Sequence, residues 1–190
     1  MTFFDLEPSA SRECLCSGEY GGAGGGLGLT LGYGFGPLVT TYVRLSGGVV
    51  GLGGGTATDD DYNSFAEDVV AARALELGAR FHFRRGQRLR PYAAVAVSAR
   101  TLSYDDISIG TDEGDERGRR GDLTLAGRGL AFGGGLLYAL TPSLALDAGF
   151  HFTGARYGDA ELDGQPLRTL DEVETEGWRL QAGAVFYPLR

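Results

Sequence analysis

Glu76, Arg80 and His82 fall at even spacing in the stretch "LELGARFHFRRGQ", residues 75–87. An acid, a base and an imidazole on one face are the residue types of general acid–base chemistry. The intervening positions are Leu75, Leu77, Ala79, Phe81 and Phe83, so the period is two, that of a strand with one apolar and one polar face. A second pair, Asp147 and His151, lies four residues apart, about 13 Å along a strand, so their partners must come from neighbouring strands. A lipase-like His/Ser/Glu group would have to face lipid, whereas both histidines fall on the polar face. No nucleophile motif accompanies either set, and no enzymatic activity is expected. The polar face either meets bulk water or lines something narrow and wet.

The remaining motifs point away from metal, phosphate or redox sites. "DDDYN" (residues 59–63) resembles the start of a calcium loop, but Ser64 and Val70 stand where Gly and Glu are required. "TDEGDERGRRGD" (residues 111–122) is acidic and then basic. Both suit solvated loops, with weak cation binding as the sharper alternative. "GGAGGGLGLTLGYG" lacks G-K-[ST] and the strand–loop–helix setting of a phosphate loop. Its glycines suit close packing and curvature. Cys14 and Cys16 form C-x-C without histidines nearby in sequence, which suits loop thiols or a local disulfide. No cofactor or metal is expected.

Composition narrows the class further. The 190 residues include 33 glycines and no lysine, and the net charge is -8. That balance argues against a nucleic-acid partner, which needs a basic field. Mean hydropathy is -0.09, and no run of about 18 apolar residues marks a transmembrane helix. A transmembrane barrel is not excluded, because its lipid face occupies only alternate positions. The opening Met-Thr-Phe-Phe-Asp lacks the charged and apolar regions of a secretory signal. If the protein is exported, this chain is a mature or truncated form.

Period-two alternation recurs in seven segments: residues 26–35, 39–49, 69–84, 90–104, 123–140, 143–157 and 177–187. The alternation slips near Gly133 and Gly135, which predicts a bulge there. Three connections are tight (residues 34–37, 84–88 and 140–143). Three are long and polar (residues 53–68, 105–121 and 158–176). Short turns at one end and long loops at the other describe an up-and-down meander. Bacterial barrels have an even strand number, so a first strand is expected in residues 2–6, "TFFDL", truncated or very short. Residues 1–19 then form an N-terminal remnant with the Cys-containing loop, and residues 20–190 the barrel strands of one domain.

Three features place the polar face inside. It is rich in small residues, including Gly28, Thr30, Gly32, Gly78, Ala94, Ala96, Gly149 and Gly183, which suits the limited interior of eight strands. Its charges are Arg44, Glu76, Arg80, His82, Arg100, Asp147, His151 and Arg179, joined by Gln181, and a buried ion must be paired or hydrated. Aromatics cluster at the ends: Phe35, Phe83, Tyr138 and Phe186 or Tyr187 at the tight-turn edge, and Tyr20, Tyr104, Tyr157 and Trp178 at the other. Two such rings match interfacial girdles.

Over residues 20–190 the chain resembles the small eight-stranded outer-membrane β-barrels of the OmpA/OmpX-like and opacity-protein-like group. In its last strand Gln181, Gly183 and Phe186 match the family's C-terminal assembly signal, and the ending "YPLR" departs from it with Arg190 last. The resemblance implies an all-β antiparallel transmembrane barrel of about eight strands in a bacterial outer membrane. Its partners would be the lipid bilayer and, through the last strand, the barrel-assembly machinery. It would be a monomer with a membrane-structural or surface-interaction role and a polar-plugged lumen. The alternatives are a soluble lipocalin-like binder of hydrophobic ligands and a narrow transporter for small compounds.

Overall fold

The computed structural model describes residues 2–15, 20–52, 69–83, 88–109, 119–167 and 173–187. They form β1 (Thr2–Leu15), β2 (Tyr20–Phe35), β3 (Val39–Leu52), β4 (Val69–His82), β5 (Leu89–Ile109), β6 (Arg119–Ala139), β7 (Leu144–Leu162), β8 (Gln165–Pro166) and β9 (Val173–Phe186). Each long strand pairs antiparallel with its neighbours in the chain. The β6–β7 and β1–β9 ladders close the ring, and β8 is a two-residue appendage on β7. Eight strands therefore make the closed barrel, and no helix occurs among the described residues.

The first strand is longer than its sequence suggests. β1 runs to Leu15, so Cys14 lies within a strand, opposite Gly21 and Glu176. Residues 7–13 are mostly polar and contain Pro8, which hides the strand signal. The β1–β9 ladder skips Glu7 and Pro8 between the Leu6↔Ala184 and Ser9↔Gln181 pairs, as expected where proline supplies no N–H.

The expected bulge at Gly133–Gly135 is absent. Those residues pair in regular register with His151, Phe150 and Gly149. Ladder shifts occur instead between Tyr104 and Ile107 and between Ala126 and Gly127, where Gly158 is the extra residue on β7. The apparent slip arose because three glycines carry no face information and Leu136 and Leu137 are both apolar. In the barrel Leu136 is exposed and Leu137 is buried.

Two regions read as loops are partly strand. β5 extends to Ile109, β6 starts at Arg119, and β7 continues to Leu162. β7 and β8 meet through Asp163 (φ 51°) and Gly164 (φ 75°), the Asp-Gly pair that a two-residue turn with two positive φ angles favours. The Asp122 backbone N–H donates to Asp163 Oδ1 at 3.0 Å, and the Asp163 N–H donates to the Asp122 carbonyl at 2.9 Å. "DDDYN", residues 59–63, lies outside the described residues, as does Cys16.

Candidate functional site

The barrel interior carries the chemistry. Strand pleat sends alternate residues to opposite faces, so charges from five strands converge on the axis. Arg44 (β3), Glu76 and Arg80 (β4), Arg100 (β5), Asp147 and His151 (β7), and Arg179 and Gln181 (β9) are all buried. His82, at the end of β4, is half-buried.

Several of these residues meet across the lumen. Arg179 grips Glu76 with both ends of its fork, Nη1 to Oε1 at 2.7 Å and Nη2 to Oε2 at 3.1 Å. Arg44 is the direct cross-strand partner of Glu76, yet its Nη1 donates to Gln181 Oε1 at 2.5 Å. Arg80 Nη1 lies 2.8 Å from Asp147 Oδ2, and Tyr92 donates to Asp147 Oδ1 at 2.8 Å. The Arg80 guanidinium also sits 5.3 Å and 4.9 Å from the ring centres of Tyr42 and Tyr92, within cation–π range. Arg100 Nε donates to Ser98 Oγ at 3.1 Å. His82 Nε2 lies 3.1 Å from Thr40 Oγ1. Asp147 is engaged by Arg80 and Tyr92 rather than forming a catalytic pair with His151.

Glycine on facing strands makes room for these long side chains. A Cβ on Gly28 would lie 2.9 Å from Arg44 Nε, and one on Gly129 would lie 2.8 Å from Ser98 Oγ. At Gly135 a Cβ would come within 2.3 Å of the Ala148 carbonyl and 2.5 Å of the Tyr92 hydroxyl. Gly135→Ala is therefore expected to cost about 1–3 kcal/mol by overpacking. Urea unfolding in detergent micelles would measure it, and an unchanged midpoint would show that the Tyr92 contact yields freely.

Tyr42 and Tyr92 are interior residues that the charge pattern did not single out, although each shares strand parity with an arginine, Arg44 and Arg100. Buried Thr30, Thr40, Ser98 and Thr153 complete the polar lining. Phe35, Phe83, Tyr138 and Phe186 are exposed on the outer wall. Trp178 is half-exposed there, 6.2 Å from Phe150 between ring centres. Three aromatics differ from the expected girdles. Tyr157 is buried in the lumen, Tyr104 packs against the interior cluster around Leu102 and Leu125, and Tyr187 tucks against the interior cluster of Tyr42, Tyr92 and Val185. Tyr157 has the same parity as His151 and Thr153, so the pleat alone turns it inward.

The outer wall is the reverse of the interior. Outward positions over residues 75–83, 89–99, 130–138, 144–154 and 178–186 carry no charge, and Leu77, Val97, Leu130 and Phe132 stand exposed among them. Each run matches the ~9–11 residues that a tilted strand needs to cross a bilayer. The family model described as "Outer membrane protein beta-barrel domain" matches residues 9–186. The chain belongs to the outer membrane β-barrel family.

Solved outer membrane barrels share the fold at low identity. Neisserial surface protein A superposes with a TM-score of 0.62 at 17% identity, covering 97% of this chain and 96% of that one. AlkL in lipid bilayers gives 0.58 at 17%, covering 99% and 90%. The attachment invasion locus protein of Yersinia pestis gives 0.52 at 14%, covering 97% of each. No curated protein sequence matches the chain.

This outer membrane barrel changes polarity along its axis. Beyond the uncharged belt, towards the long connections, the outward residues become Asp105, Asp122, Asp159, Glu161, Glu174 and Glu176, all exposed. Inside at that end Val70, Leu102, Leu125, Ala155, Tyr157 and Ala160 form a buried apolar cluster. Water outside the wall favours an apolar interior, whereas lipid outside the wall leaves the polar groups to the interior. The barrel thus has membrane polarity in its lower part and soluble-protein polarity in its upper part.

Proposed function

We propose that this outer membrane barrel is a sealed, non-enzymatic monomer with a membrane-structural and surface-interaction role. The Glu76–Arg179 bidentate pair across the lumen carries this reading. With Arg80–Asp147 and Arg44–Gln181 beside it, it acts as a polar plug, and the apolar cluster around Leu102 and Leu125 adds a second layer above. Between the layers lies a cavity of about 60 Å³ bounded by Ser46, Val50, Arg100, Tyr157 and Arg179, far below the ~300–1,000 Å³ of a typical ligand pocket. That size weighs against a transporter, and the exposed apolar belt weighs against a soluble lipocalin-like binder. The upper wall and its connections, which face outward in such barrels, present the surface for interaction. Gln181, Gly183 and Phe186 in β9 offer the C-terminal signal to the assembly machinery.

Planar-bilayer recording tests the reading. The purified barrel is expected to give no stable conductance step above the membrane leak. A stable, high conductance from the folded protein would overturn it.

A further inference from the structure

Three guanidiniums mark the upper edge of the uncharged belt on one side of the barrel. Arg73 on β4, Arg128 on β6 and Arg156 on β7 are exposed, and each is the first outward charge above the belt on its strand. Arg128 and Arg156 are direct cross-strand partners, and like charges placed opposite each other on one face repel. Arg156 has a carboxylate on its far side, Glu174 at 2.7 Å. Arg73 and Arg128 have no ion pair among the described residues. The positions between them are small: Thr101 opposite Arg73, Ala99 opposite Arg128, and Ala126 opposite Thr101. Of the outward acids of this end, Glu174 and Glu176 flank the group on its β9 side, Asp159 and Glu161 stand above it on β7 opposite Ala126 and Thr124, and Asp105 and Asp122 lie farther up β5 and β6.

We propose that this facet binds the phosphate headgroup of an anionic lipid in the outer leaflet. Its height is that of a headgroup, because acyl chains cover the belt directly below. The guanidinium fork matches phosphate oxygens in bidentate geometry, and an anion seated between Arg128 and Arg156 relieves their repulsion. The small residues let a headgroup approach the wall. Each arginine near an anionic surface strengthens attachment about fivefold.

Trp178, the only tryptophan of the chain, is a built-in reporter, because it lies opposite Phe152 on the wall just below. The full chain is folded into phosphatidylcholine vesicles carrying either brominated phosphatidylglycerol or brominated phosphatidylcholine at equal mole fraction. Brominated phosphatidylglycerol is expected to quench Trp178 more strongly, and Arg128→Gln is expected to reduce that preference about fivefold. Arg128→Gln is also expected to raise stability in pure phosphatidylcholine, by removing repulsion, and to lower it when phosphatidylglycerol is present. Arg73→Gln, which leaves the Arg128–Arg156 pair intact, is expected to weaken the preference without the gain in neutral vesicles. Equal quenching by the two lipids, or a stability change of the same sign in both vesicles, would overturn the proposal. So would inorganic phosphate added to pure phosphatidylcholine vesicles reproducing the whole stabilisation, which would make free phosphate the ligand.

Discussion

Glu76→Ala is expected to destabilise the folded barrel by about 3–5 kcal/mol, the cost of leaving one member of a buried ion pair without the other. Glu76 is fully buried and accepts both hydrogen bonds from the Arg179 fork. Removing its carboxylate leaves Arg179 in a desolvated lumen, with Arg44 and Arg100 close enough to act on the same point electrostatically. Urea-induced unfolding in micelles gives the number. Glu76→Met combined with Arg179→Met should lose much less than the single variant, because a buried pair replaced by apolar side chains of similar volume is often tolerated. A single-variant loss below about 1 kcal/mol would put the pair in the range of exposed surface bridges instead.

Leu77→Arg is expected to cost about 2–4 kcal/mol, the range for arginine placed on the lipid face near mid-depth. Leu77 is 58% exposed and lies between its cross-strand neighbours Val43 and Val97, which are also exposed on the outer wall. The same substitution would be nearly silent on a water-exposed strand, where surface changes rarely exceed about 0.5 kcal/mol. Refolding yield and urea midpoint in phosphatidylcholine vesicles measure the effect. Normal folding with a water-accessible Arg at this position would mean that the two faces are reversed.

The alternation of apolar and polar residues was enough to read the strand faces of β4, β7 and β9, because lipid on one side and a narrow interior on the other select opposite residue types at every step. It was weaker where that selection relaxes. In β1, Pro8 and a polar run obscure the strand, and only closure against β9 reveals its length. In β6, Gly133 to Gly135 carry no hydropathy, so a regular ladder looked like a slip. Above the bilayer the rule inverts: Leu102, Leu125 and Tyr157 go inside for the reason that apolar residues go inside in soluble proteins. A single polarity rule applied along the whole chain therefore turned Tyr157 the wrong way. Cross-lumen partners were not legible at all. Arg179 and Glu76 are 103 positions apart, and the direct neighbour of Glu76 in the ladder is Arg44.

Two ion pairs in this barrel have the same length and opposite surroundings. Arg179–Glu76 and Arg156–Glu174 are both 2.7 Å, but the first has side chains 10% and 0% exposed and the second 67% and 53%. Double-mutant cycles on the two pairs, measured by reversible unfolding under identical conditions, test the sealed lumen most directly. The expected result is a coupling of about 2–3 kcal/mol for Arg179 with Glu76, towards the upper end for residues in one network, and about 0.2–1 kcal/mol for Arg156 with Glu174. Equal, small couplings for both pairs would contradict the account, because they would place Glu76 and Arg179 in water rather than in a plugged interior.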